Sequence, residues 1–152
     1  MMKIKKMLLL SAALSAAALT AHADEPGKHP YYVHALNDLE TAKFLVEHRR
    51  AEDGTIGNHE MLVKEEINAA FGEIKTAMKY DRKGADQQMG HDQIADVSGR
   101  MHQALDLLKK AHDDVSHEED DPASKGLQVR ALKHIDAAIW QAQQVINDAA
   151  RH

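Results

Sequence analysis

Histidine–carboxylate spacing is the feature of this chain closest to chemistry. The 152 residues include 11 histidines. Four have an acid four residues downstream: His34/Asp38, His48/Glu52, His102/Asp106 and His117/Asp121. On an α-helix that interval puts both side chains on one face. Imidazole nitrogen with carboxylate oxygen is a donor set for Zn, Ni or Cu(II). The same pairs also make surface ion pairs, each contributing a few tenths of a kcal/mol. If a divalent transition metal binds, the expected ligands are His34, Asp38, His102, Asp106 and His134. At about 100° per residue, His34/Asp38 and His102/Asp106 fall on the flanks of apolar stripes. There they could meet a neighbouring helix at the rim of a bundle. His112 lies near its stripe, between Leu108 and Val115, and reads as a packed, hydrogen-bonded histidine.

Other chemistries find few of the parts they need. The chain has no cysteine, which removes thiolate metal sites, c-type haem attachment and cysteine nucleophiles. Ser98, Ser116 and Ser124 lack a Gly-x-Ser-x-Gly setting. Ser116 and His117 are sequence neighbours, which point about 100° apart on a helix. Di-iron bundles use Glu-x-x-His; this chain contains none, and Glu66 is the one plausible inward carboxylate. A b-type haem bundle needs a Met near the start of its first helix and a His near the end of its last. The only histidines here in the last helix are His134 and the terminal His152. Met101-His102 and Met89-Gly90-His91 contain copper-type donors, but Met101 has the spacing of a core residue. Trp140 is expected on the outer side of its helix.

These residues must be positioned by helices. Tyr32, Ala35, Leu36, Leu39, Ala42 and Val46 recur at 3–4 spacing. They predict a helix from Pro30, a favoured first position, to about His48–Ala51. Asn58 is expected to cap a second helix, striped by Val63, Ile67, Ala70, Phe71, Ile74, Ala77 and Met78, ending near Tyr80–Arg82. A third is expected over His91–His117, with Ile94, Val97, Met101, Ala104, Leu105, Leu108, Ala111 and Val115 inward, and Gly72 and Gly99 off the stripes of their helices. A fourth, capped by Asp121 with Pro122 first, runs to Ala150 through Leu127, Ala131, Ile135, Ala138, Ala142, Val145 and Ala149. No period-2 alternation predicts a strand. The expected fold is all-α: an up-down-up-down four-helix bundle over 30–150, with antiparallel third and fourth helices.

Ahead of the bundle, Lys3, Lys5 and Lys6 precede an apolar run from Met7 to Leu19 and then Ala21-His22-Ala23. That is the pattern of a cleavable signal peptide over 1–23, with 24–29 a flexible arm. The apolar run is too short for a stable membrane span, and no second one follows. The expected location is the periplasm. Nineteen Lys and Arg stand against 24 Asp and Glu, and residues 1–23 hold three of the lysines and no acid, so the remainder carries −8 with His neutral. Such a chain is not expected to bind nucleic acid or anionic lipid through its overall field.

The stretch His29-Pro30-Tyr31-Tyr32-Val33-His34-Ala35-Leu36-Asn37-Asp38-Leu39 resembles the H-P-x-Y-x-H-A-L-x-D-L opening of an uncharacterised group of small exported bacterial helical proteins. Arg130-Ala131-Leu132-Lys133-His134-Ile135-Asp136-Ala137-Ala138-Ile139 is a second similar piece. The resemblance spans the mature chain and implies export and a helical fold, with no activity. It makes His29, His34, Asp38, His134 and Asp136 signature positions. Together these readings point to a non-enzymatic periplasmic bundle with a binding or stress-related role, engaging a protein partner or itself, with no resident cofactor. The alternatives are a periplasmic Zn, Cu or Ni binder and, after it, a b-type haem bundle.

Overall fold

A computed structural model describes residues 30–48, 57–80, 99–118 and 122–151. The expected signal peptide and arm lie outside the described residues, as do His29, Glu52, His91, Ile94, Val97, Asp121 and His152. Four helices account for nearly all of the described chain: α1 (Pro30–Glu47), α2 (Asn58–Tyr80), α3 (Arg100–Glu118) and α4 (Lys125–Ala149). No strand occurs among the described residues. No helix among them is long and apolar enough to cross a membrane.

Each helix forms because one face repeats apolar residues at 3–4 spacing, and that face is the buried one. On α1 the buried set is Tyr32, Ala35, Leu36, Leu39, Ala42, Leu45 and Val46. α2 buries Val63, Ile67, Ala70, Ile74, Ala77 and Met78, while Phe71 sits half-buried beneath the Lys75 ammonium, 4.7 Å from its ring centre. α3 buries Met101, Ala104, Leu105, Leu108, Ala111 and Val115; α4 buries Leu127, Ala131, Ile135, Ala138 and Ala142. Val145 packs at the edge of this core, and Ala149, expected inward, is exposed. Buried alanines stand seven apart on every helix: Ala35/Ala42, Ala70/Ala77, Ala104/Ala111 and Ala131/Ala138. Small residues at heptad spacing let helix backbones approach closely along a shared seam.

The helix ends depart from the sequence expectation in three places. Gly57, not Asn58, caps α2: its carbonyl accepts from Met61 N–H, and its own N–H donates to Glu60 Oε2 at 3.0 Å. A glutamate at the third helical position reaching back this way is half of a capping box. α3 starts at Arg100, and residues 91–98 of the helix expected over His91–His117 lie outside the described residues. Gly99 adopts φ +69°, a left-handed conformation that breaks helical continuity and suits glycine. α4 starts after Pro122–Ser124, which form a turn; the Ser124 carbonyl accepts the first helical bonds, from Leu127 and Gln128.

α1 packs most extensively on α3, and α2 on α4; the α3/α4 and α1/α2 contacts are smaller. α1 and α4 lie across one diagonal and α2 and α3 across the other, with no close backbone approach among the described residues. Directions follow from paired positions. Tyr31 meets His117, Asp38 meets Lys110, and the carbonyls of Leu45 and Val46 meet Arg100, so α1 and α3 are antiparallel. His59 meets Gln141, Glu66 meets His134 and Glu73 meets Arg130, so α2 and α4 are antiparallel. His112 meets Asp136 and Val115 meets Gln128, which makes α3 and α4 antiparallel as expected. The order is therefore up-down-down-up rather than the expected up-down-up-down, with α2 and α3 parallel. The cause is the long segment 81–98, which has enough chain to return the length of the bundle, as single-crossover bundles require.

Candidate functional site

Polar side chains are concentrated along the seams between helices, and one seam is strictly periodic. On α2, His59, Glu66 and Glu73 stand at intervals of seven; on α4, His134, Gln141 and Asp148 do the same. The antiparallel pairing sets them opposite one another, at positions flanking an apolar seam. His59 Nδ1 donates to Gln141 Oε1 at 2.6 Å, and its Nε2 lies 4.0 Å from Asp148 Oδ2. His134 Nδ1 donates to Glu66 Oε2 at 2.6 Å. Arg130 closes the row with two parallel bonds to Glu73, each 2.9 Å. Glu66, expected to face inward alone, is held at the seam by His134.

A second polar group lies on the α1/α3 seam. Asp38 is buried, and Lys110 Nζ donates to its Oδ1 at 3.3 Å. Asp114, one turn further along α3, is partly buried, and loss of hydration raises its carboxyl above the ordinary 3.8. Neighbouring Asp38 adds to the rise; His34 and Lys110 oppose it. A raised native value means the folded protein holds this proton more tightly than the unfolded chain. Ionised Asp114 therefore costs stability at neutral pH. The cost disappears as pH falls through the interval from the raised value down to 3.8. Asp114→Asn is expected to raise Tm at pH 7, with the gain shrinking to nothing below about pH 4. Thermal melts of both proteins across that range check this; an equal gain at both ends would show that charge is not the cause.

The third group was not anticipated from sequence. Arg100 Nη2 donates to Glu60 Oε1 at 2.6 Å, with side chains 12 % and 5 % exposed. Arg100 Nη1 also reaches the carbonyls of Leu45 (3.3 Å) and Val46 (3.5 Å) in the last turn of α1. A cation there complements the negative end of α1, and Glu60 complements the positive start of α2. One guanidinium thus joins the ends of three helices. The available signal was the pairing of Gly57 with Glu60 as a cap; nothing local pointed to Arg100 as partner.

The five residues expected as metal ligands are distributed over separate places. Asp38 is engaged by Lys110 on the α1/α3 seam, with exposed His34 one turn before it. His102 and Asp106 are exposed on α3, and His134 is paired with Glu66 on the α2/α4 seam. Among the described residues, no three His, Asp or Glu side chains gather so that they could hold a metal ion. His112 is half-buried, with Nε2 3.4 Å from Asp136 Oδ1, in keeping with the packed role expected of it. Two signature positions, His134 and Asp136, therefore make helix-to-helix contacts with different neighbours.

One end of the α2/α4 layer presents apolar side chains outward. Trp140 is 57 % exposed on the outer side of α4, and the His59 ring meets it edge-on with centroids 6.2 Å apart. Gln141 fixes His59 in turn. Met61 and Leu62, on the turn of α2 that follows His59, are exposed as well. Comparison with protein-family models, curated proteins and solved structures returns no match for this chain.

Proposed function

We propose that this chain is a non-enzymatic exported bundle, one of the small helical proteins its opening motif resembles, that binds a protein partner in the periplasm through the outer face of α4. The observation that carries the reading is Trp140. A large aromatic ring left mostly in solvent, beside an imidazole that is itself hydrogen-bonded in place, supplies contact area with little rotamer freedom left to lose. Met61 and Leu62 are exposed at the same end of the α2/α4 layer and add apolar surface there. Inward-facing positions are occupied by packed aliphatic and alanine side chains, and seam polar groups are engaged with each other, which suits a scaffold that displays its surface. Export is supported by the basic start, apolar run and small-residue cleavage pattern of residues 1–23.

The test is a photo-crosslinking amino acid placed at position 140 of the full chain in its native host, with Lys109, exposed on α3, as the control position. A discrete adduct from position 140 alone, recovered in the periplasmic fraction with the leader removed, is the expected result. No adduct, or the same adducts from position 109, removes the binding assignment. An unprocessed chain held in the cytoplasm removes the export assignment.

A further inference from the structure

We infer that α1–α2 and α3–α4 are two hairpins built to dock on one another, and that either can accept its complement from a second copy of this chain, giving an exchanged dimer. The evidence is where the contacts lie. Each helix makes its more extensive packing with a helix of the other hairpin: α1 with α3, and α2 with α4. Most of the polar seam contacts divide the same way, while His112 with Asp136 and Gln128 with the Val115 carbonyl stay within the α3–α4 hairpin. Arg100 with Glu60, Lys110 with Asp38, His59 with Gln141, His134 with Glu66, and Arg130 with Glu73 all join one hairpin to the other. Across the α1–α2 hairpin, among the described residues, Lys64 pairs with Glu47 at 3.1 Å between side chains that are substantially exposed. Exposed pairs of that kind contribute little. Neither hairpin buries its apolar face without the other.

The 81–98 segment decides which copy supplies the complement. α2 ends at Tyr80, while α3 begins beside Glu60, twenty residues back along α2. At 1.5 Å per residue, the chain between must return about 30 Å. Residues 81–98 can reach roughly 60 Å when extended, so one chain can close on itself. Tethering then favours the monomer through effective concentration. A tether too short to make that return leaves the same seams available only to a second copy, and domain exchange is a low-cost route to a dimer.

Two experiments on the full chain decide the matter. In the first, a protease recognition sequence is inserted between Gly84 and Ala85 and the folded protein is cut there. The two pieces are expected to stay together in gel filtration, keep their helical circular dichroism, and melt at a temperature that now rises with concentration. Separation or loss of helicity on cutting would show that the tether, not the seams, holds the hairpins together, and would overturn the inference. In the second, residues 84–95 are deleted, which leaves a reach of about 20–25 Å. Light scattering is expected to report twice the mass of one chain with native helicity. A helical monomer would overturn the exchange.

Discussion

Arg100→Ala is expected to lower stability by about 3–5 kcal/mol, the usual cost of leaving a buried charge without its partner. For a bundle of this size that is a fall in Tm of order 10–15 °C. Glu60 is 5 % exposed, and its Oε1 would lose the guanidinium that donates to it. The carbonyls of Leu45 and Val46 would lose their donor at the same time. The loss is specific to the broken pair rather than to the site. Glu60→Gln retains an oxygen that can accept from the Gly57 N–H. Adding it to Arg100→Met removes both charges and fills the space, and is expected to recover more than half of the loss. Urea unfolding of Arg100→Met, Glu60→Gln and the double variant gives the coupling directly. A loss below about 1 kcal/mol for Arg100→Ala would place the pair with ordinary surface ion pairs.

Ala138→Leu is expected to cost about 3 kcal/mol, the upper part of the range for overpacking a dense core. Ala138 has no exposed surface and stands one heptad after Ala131, which is equally enclosed. Three added carbons there must push α4 away from the layer it packs on. That movement would also lengthen the His134–Glu66 and His59–Gln141 bonds on the flanking row. Ala149→Leu makes the same chemical change at an exposed position of the same helix, where the expected effect is within about 0.5 kcal/mol. Chemical denaturation of both variants separates crowding from any general response of α4 to leucine.

The four helices were legible in the sequence because each buries a stripe that recurs every three to four residues, a strictly local signal. The heptad alanines belong to the same signal. Partner choice was not legible. Spacing along one helix pairs His34 with Asp38, but Asp38 is occupied from across the seam by Lys110, 72 residues away. His134 found Glu66, 68 residues away, and His59 found Gln141 at a separation of 82. The seven-residue intervals of His59/Glu66/Glu73 and His134/Gln141/Asp148 were present in the sequence. Reading them as one row needed the knowledge that α2 lies beside α4. That depends on the course of the chain between Tyr80 and Gly99, which residue spacing along single helices does not report. Isolated glycines are tolerated inside helices, so the pattern alone puts Gly99 within one; its positive φ is a property of the junction.

The diagonal placement of α2 and α3 also governs how the chain reaches this state. Sequential pairing would reward each helix as soon as its neighbour forms. Here the hydrogen bonds that join the two hairpins link positions 40 to 82 residues apart, so large loops must close before much apolar surface leaves water. Non-local topology of that kind slows the search for the native arrangement, even in an entirely helical chain. This protein is therefore expected to fold more slowly than an all-helical domain of its size whose helices pair in chain order.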